Sequence, residues 1–174
     1  MTQAKLGPLA GVTVLDLSPG RSLRWARESD YETLGQVMFD AVRNGESRYT
    51  EKQRAAWTPE PRKGPAWTDR LSPQDVVVAE AGGEILGFMS LAAGGYLDFA
   101  FIRPRAQHSG LFRLLLGQIE ARALETGATS LWTHASLTAE PAFAALGFEI
   151  RKREQVVLGG ETFDRCEMEK RLLP

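Results

Sequence analysis

The stretch Phe101-Ile102-Arg103-Pro104-Arg105-Ala106-Gln107-His108-Ser109-Gly110-Leu111-Phe112-Arg113 decides how this chain folds. Its first residues close an apolar run of β type, Leu97 to Ile102. Its last residues open a segment, Ser109 to Leu124, in which Leu111, Leu114, Leu115, Ile119 and Ala123 recur on a helical period until Thr126-Gly127 ends it. A strand that passes through a glycine-containing turn directly into a helix presents unpaired backbone N–H groups at the positive end of the helix dipole, and such a place holds phosphate. The alternative reading is that Gly110 only permits a tight turn between the two elements.

Upstream of that junction lie two more β-type runs, Val76 to Ala79 and Ile85 to Leu91, and the three runs are separated by Gly82-Gly83 and Gly94-Gly95. Paired glycines accept the positive φ of tight hairpins, so the region predicts an antiparallel meander. Before it come a short strand at Leu23 to Ala26 and a helix started by Ser29 and Asp30, with Leu34, Val37, Met38, Ala41 and Val42 on one face and an end near Asn44-Gly45. A second short helix opens at Thr50, where Gln53 completes a capping-box pattern and Trp57 supplies an apolar anchor; Pro59 to Pro65 is expected to be loop. Downstream, Ser130 to Ala135 is expected as strand, Thr138 to Leu146 as a short helix stopped by Gly147, and Glu149 to Val157 and Phe163 to Met168 as strands joined by Gly159-Gly160. The resulting order, β-α-α-β-β-β-α-β-α-β-β, is a mixed α/β layout without repeats that fits one domain over 21–174. Residues 1–20 form an N-terminal appendage with one β-like run, Val12 to Leu17. Its stretch Gly7 to Leu17 resembles the start of class III CoA-transferases, a likeness that stops at Pro19.

Composition narrows the function. The chain has 174 residues, 43% apolar, which fills a core without metals or disulfides. Its 21 Lys and Arg against 22 Asp and Glu give a net charge of -1, which offers no general attraction to nucleic acid or to an anionic membrane. A single cysteine, Cys166, rules out an internal disulfide and points to the cytoplasm; it is expected to be inert packing. No apolar stretch reaches the roughly 18–20 residues of a membrane span. The run Leu6 to Leu15 is broken by Pro8 and two glycines and is read as mature chain rather than signal peptide. Neither a metal-ligating cluster nor a Ser-His-Asp pattern is evident.

The junction, the strand order around it and the later Ala142-Phe143-Ala144-Ala145-Leu146-Gly147-Phe148 occur together in one sequence. With them come the Pro-x-x-Gln-x-x-Gly run from Pro104 to Gly110, the step Ala135-Ser136, and the closing Met168-Glu169-Lys170. From about Ser22 to Leu172 the chain resembles a GNAT-type acyl-CoA N-acyltransferase, most of all the small bacterial YafP-like branch, whose Tyr-Thr/Ser-x-x-Gln-x-x-x-Trp segment is matched by Tyr49, Thr50, Gln53 and Trp57. The resemblance implies a twisted, largely antiparallel mixed sheet flanked by helices and splayed between the fourth and fifth core strands, with acetyl-CoA as acyl donor in the splay and no metal. It implies pantetheine contacts along Phe101, Ile102 and Arg103, and pyrophosphate contacts at His108, Ser109, Gly110, Leu111, Phe112 and Arg113. A homodimer through Glu149 to Met168 also rests on the resemblance alone. Two positions depart from the family pattern. Phe112 replaces the second glycine of the phosphate loop, and Phe143, counted with the cofactor contacts, stands where many members carry the tyrosine that protonates the leaving thiolate.

Acyl transfer to an amine needs a neutral nitrogen, a polarised carbonyl and a proton for sulfur. His134 is a candidate base, since imidazole titrates near neutrality and alternation sets it on one strand face with Trp132 and Ser136; the alternative is a packed or solvated strand residue. Asp98, which alternation groups with Tyr96 and Ala100, is either a base or an exposed sheet-edge charge. Tyr96 and Ser136 are candidate acids, and Ser136 alternatively caps the following helix. For the acceptor, the family places contacts around the first two helices, here Glu46, Arg48, Tyr49, Trp57 and Trp67, although tryptophans are commonly core residues. The expected activity is transfer of acetyl from acetyl-CoA to a primary amine of a small metabolite. The alternatives are a GNAT-like module that binds CoA or a partner without turnover, and an acetyltransferase acting on a protein N-terminus or lysine.

Overall fold

Strand pairing runs in the order β1-β2-β3-β4-β5-β7-β6 in one seven-stranded sheet. The computed structural model describes residues 20–173; apart from Gly20, the expected appendage and its run Val12 to Leu17 lie outside them. The strands are β1 (Arg21–Trp25), β2 (Asp75–Ala81), β3 (Glu84–Ala92), β4 (Tyr96–Ile102), β5 (Ser130–Ser136), β6 (Glu149–Leu158) and β7 (Glu161–Arg171). The helices are α1 (Tyr31–Asn44), α2 (Glu51–Trp57), α3 (Pro65–Leu71), α4 (Leu111–Glu125) and α5 (Glu140–Ala145). This is the mixed, largely antiparallel sheet expected, with one addition. Helix α3 follows the expected loop and has a short but readable signal: Pro65 at its first turn and Trp67 and Leu71 four apart, both buried.

Each sheet face carries its own core. Helix α4 lays Leu111, Leu115, Leu116, Ile119 and Ala123 over Val77, Met89, Leu97, Leu131 and Ala135. On the other face, Leu34, Val37, Met38 and Val42 of α1, with Trp67 and Leu71 of α3, cover Val76, Val78, Phe88 and Phe99. Burial of each such side chain stabilises by about 1.5–3 kcal/mol. The spacing of three and four read from the sequence therefore corresponds to the buried stripes of α1 and α4.

The sheet opens where β4 meets β5. These neighbours are parallel, and they pair only at Tyr96 with Trp132 and Leu97 with Thr133. Thr133 is buried, and its hydroxyl donates to the Leu97 carbonyl at 2.8 Å. Beyond that point the strands diverge, which is the splay expected between the fourth and fifth strands. The base of the splay depends on Gly95, whose φ is +76° and where a Cβ would lie 2.4 Å from the Ser130 carbonyl oxygen.

A bulge in β4 corrects one expectation. Met89 pairs with Ala100 and Leu91 with Leu97, so Ser90 faces two residues, Asp98 and Phe99. The buried Ser90 hydroxyl takes up the Phe99 N–H at 3.0 Å. Asp98 meets α3 and Phe99 joins the α1–α3 core, whereas Ala100 packs against the α4 core. Simple alternation put Asp98 and Ala100 on one face; the extra residue separates them.

Candidate active site

A cleft of about 350 Å³ occupies the splay. One wall is the end of β4, through Ala100, Phe101 and Ile102, and the other is Ser136, Thr138, Ala139 and Ala142 from the end of β5 and α5. Gln107, His108, Gly110, Leu111 and Phe112 form its base, and Val42, Glu46, Ser47 and Trp57 roof it. The roof is tied across the gap. Ser47 Oγ lies 3.3 Å from Thr138 Oγ1, which also accepts the Arg48 N–H at 3.1 Å.

The β4 wall is mostly main chain. The Arg103 N–H donates to Leu86 O at 2.8 Å and Phe101 pairs with Phe88 in the same register, so antiparallel alternation turns the N–H and C=O groups of Ala100 and Ile102 toward the gap. Gln107 Nε2 donates to the Ile102 carbonyl at 3.0 Å. The edge without a strand partner, expected at Phe101 to Arg103, thus belongs to Ala100 and Ile102, with the Ile102 carbonyl already engaged by Gln107. Arg103 is engaged elsewhere, through Ile85 O at 2.9 Å and Asp40 Oδ2 at 3.2 Å.

At the helix start, His108 and Gly110 both have positive φ, +59° and +85°. The first bond of α4 runs from Leu114 N–H to Gly110 O at 3.3 Å. The N–H groups of Leu111, Phe112 and Arg113 therefore have no helical acceptor, and no acidic side chain occupies the first turn. Ser109 Oγ donates back to Ala106 O, and Arg113 is exposed. Phe112 leans on Phe143, with ring centroids 5.0 Å apart at 78°, and Phe143 in turn meets Phe148 at 4.9 Å. Phe112 keeps one edge in the cleft, while Phe143 is buried beneath it and lies outside the lining.

On the α1–α3 face, the Tyr96 hydroxyl lies 3.0 Å from His134 Nδ1. His134 Nε2 faces Glu154 at 3.5 Å and Glu167 at 3.9 Å, and Arg165 Nε holds Glu154 at 3.1 Å. Burial first, and then Arg165, pushes the His134 imidazole below its ordinary value, against the pull of Glu154, Glu167 and Asp98. Burial, followed by the charge of Asp98, pushes the Tyr96 phenol up. Asp98 receives two hydrogen bonds from Arg70 and one from Gln74, all at 2.7 Å, so its carboxylate is committed to α3 and its C-terminal turn. Ser136 lines the cleft and its hydroxyl accepts the Ala139 N–H at 3.1 Å, so it also serves as a cap.

The acceptor candidates separate. Trp57 lines the cleft, 5.9 Å from Phe101 and 6.0 Å from Tyr49. Tyr49 is buried; its hydroxyl donates to Asp164 O on β7 and accepts the Leu137 N–H at 3.1 Å. It braces β7 against the β5–α5 loop. The capping box forms as read, with Thr50 Oγ1 accepting Gln53 N–H at 3.1 Å and Gln53 Oε1 accepting Thr50 N–H at 2.8 Å, while Gln53 Nε2 reaches Thr162 O at 2.7 Å. Trp67 is buried, its indole N–H on Tyr31 O at 2.7 Å. Arg48 is exposed, as is Glu46 at the cleft mouth. Cys166 is buried beside Glu140, and burial pushes its thiol up to about 11.

The sequence reading missed Gln107, Thr138, Glu154, Arg165 and Glu167. Glu154 and Arg165 had a signal: counting outward from the turn Gly159-Gly160 places them opposite one another in the β6–β7 hairpin. Glu167 sits opposite His134 across β5 and β7, a register that only the fold supplies.

A model of the acetyltransferase (GNAT) domain matches residues 46–172. The chain belongs to the GNAT acetyltransferases. This makes the protein an acyl-CoA-dependent acetyltransferase. It is similar to the uncharacterised N-acetyltransferase YafP of Escherichia coli K12, 28% identical over 147 residues that cover 84% of this chain and 93% of the relative. Among solved structures, it superposes on a GCN5-related N-acetyltransferase from Rhodopseudomonas palustris with a TM-score of 0.80 and 25% identity, over 88% of this chain and 96% of that one. It also shares its fold with a phosphinothricin acetyltransferase from Sinorhizobium meliloti, solved with acetyl-CoA, at a TM-score of 0.68 and 20% identity over 88% and 89% of the two chains.

Proposed function

We propose that this GNAT enzyme moves an acetyl group from acetyl-CoA to the primary amine of a small metabolite by direct attack, without an acyl-enzyme intermediate. The donor supplies a thioester; the protein's part is to hold it, to manage protons and to exclude water. The main-chain edge at Ala100 and Ile102 suits the amides of the pantetheine arm, and the N–H row of Leu111, Phe112 and Arg113 suits the pyrophosphate. Solved neighbours with acetyl-CoA support that donor.

In this reading His134 removes the proton from the incoming ammonium. Its depressed pKa keeps it neutral near pH 7, and the Tyr96 hydroxyl on Nδ1 fixes the ring. The neutral amine then attacks the carbonyl carbon, the C–N bond forms, the C–S bond breaks, and the thiolate leaves to be protonated. With phenylalanine at 143, the acid for that step is Tyr96, Ser136 or water. The observation that carries a small acceptor is the roof. Ser47 and Thr138 close across the gap and Trp57 covers it, which suits a metabolite better than a polypeptide.

The buried Phe143 also keeps a second reading alive, a module that binds CoA without turning it over. Free-thiol release from acetyl-CoA, followed with small amines and with peptides, separates the readings. Release driven by small amines supports the proposal, release only with peptides replaces the acceptor, and binding without release replaces the enzyme by the module.

A further inference from the structure

Arg62 lies in the loop between α2 and α3. That loop is pressed onto α1: a Cβ on Gly35 would sit 1.8 Å from the Arg62 carbonyl oxygen. The Arg62 guanidinium lies over two aromatic rings, its Cζ 5.7 Å from the centroid of Trp67 and 6.0 Å from that of Phe99. A half-buried guanidinium carries five N–H donors and ordinarily finds acceptors for them. Among the described residues Arg62 finds none, neither a hydrogen bond nor an ion pair. Burial, and then the neighbouring Arg70, lowers its pKa against the pull of Asp98.

Its surroundings extend into the site. Arg70 lies over the same Phe99 ring at 5.5 Å and gives Asp98 two hydrogen bonds, from Nε and Nη2. Two guanidinium groups against one carboxylate leave one positive charge in excess here. Tyr96 shares the strand face of Asp98 and touches His134, beyond which two carboxylates, Glu154 and Glu167, face one guanidinium, Arg165. One face of the splay thus has an unmatched cation at one end and an excess of negative charge at the other.

We infer that Arg62 is the docking point for a carboxylate of the acceptor, so that the acceptor is a zwitterionic, amino-acid-like amine whose ammonium group points toward His134, Glu154 and Glu167. This rests on the small-amine reading above. A guanidinium held flat against two rings presents its fork of parallel donors in a fixed direction, and a carboxylate matches that fork with two bonds where an alcohol or an amide cannot. No covalent step is involved; Arg62 acts on binding and orientation alone.

The test compares wild type with Arg62→Gln and Arg62→Lys, each checked for an unchanged Tm and unchanged CoA affinity. With CoA present, calorimetry follows three pairs that differ by one carboxylate: alanine and ethylamine, phenylalanine and phenethylamine, lysine and cadaverine. The inference predicts that wild type prefers at least one amino acid over its bare amine by about tenfold or more, equivalent to about 1.4 kcal/mol. Arg62→Gln should erase that preference while leaving the bare amines as they were, and Arg62→Lys should keep part of it. A wild type that prefers no carboxylate, or binds no member of either class, overturns the inference; so does a preference that survives Arg62→Gln, or an equal loss in both classes. Binding needs no turnover, so a wild type that shows the Arg62-dependent preference but releases no CoA with these amines sustains the inference and counts against the transferase reading alone.

Discussion

Between Ala100 and Arg113 the chain offers a ligand mostly main chain: the inward edge of β4 and the first N–H groups of α4. The face that carries Tyr96, Asp98 and His134 is instead crowded with charged and aromatic side chains, and these three are each engaged by a neighbour. The first surface tolerates substitution, because a helix start presents N–H groups whatever its side chains. Phe112 illustrates this: a bulky ring in place of glycine is absorbed by packing on Phe143. The second surface has no such tolerance, since its chemistry resides in individual atoms. On the proposed function, the fold secures the donor and a handful of side chains chooses what is done with it.

That contrast is open to direct attack by mutation. Replacing His134 with Ala should lower kcat by about a hundredfold or more while acetyl-CoA affinity changes little, because proton transfer is lost and the donor surface is untouched. Steady-state kinetics with a competent amine measure this; a kcat within a few-fold of wild type would show that His134 is a packed strand residue. Gly110→Val attacks the other surface. A Cβ there meets nothing within 4 Å, so the domain should fold, but φ of +85° strains valine and re-aims the N–H row. Acetyl-CoA binding should weaken about tenfold. Unchanged affinity in the folded variant would leave Gly110 as a turn residue only.

Smaller effects sharpen the picture of the side-chain half. His134 accepts a proton only when neutral, and its depressed pKa sets the acid limb of kcat/KM below about pH 6.5. Arg165→Gln removes a cation that lowers this pKa and should move the limb up, whereas Glu154→Gln removes an anion that raises it and should move the limb down. Shifts of the same sign would exclude His134 as the titrating group. Phe143→Tyr should change least: the ring is buried between Phe112 and Phe148, so a hydroxyl there lowers Tm by a few degrees and leaves kcat within about twofold of wild type. A rise in kcat would mean that the leaving thiolate can be reached from this position.

The main-chain half was legible in the sequence because it is local. A strand, a turn and a helix written consecutively from Leu97 to Leu124 declare their geometry through apolar period and glycine placement, and the paired glycines supply the hairpins. The side-chain half was read only in part. The sequence put His134, Tyr96 and Ser136 on the right strands, and its period located the faces. It had no means of seeing the bulge at Asp98 and Phe99, which depends on a buried Ser90 in another strand, and so it grouped Asp98 with Ala100. Nor did it bring Arg62, Arg70 and Asp98 together, since nothing local links α3 and the loop before it to β4. The tyrosine and tryptophan of the Tyr49 to Trp57 segment suggested substrate contact, yet Tyr49 is a brace between β7 and the β5–α5 loop, and only Trp57 reaches the cleft.

The most direct test of a donor surface made of main chain is a calorimetric titration of the wild-type protein with acetyl-CoA, with CoA and ADP as comparisons. Saturable micromolar binding of acetyl-CoA and CoA, and weaker binding of ADP, which lacks the pantetheine arm that the proposed function assigns to Ala100 and Ile102, is the predicted result. No heat of binding at millimolar acetyl-CoA would contradict it and would mean that Phe112 closes the N–H row to phosphate.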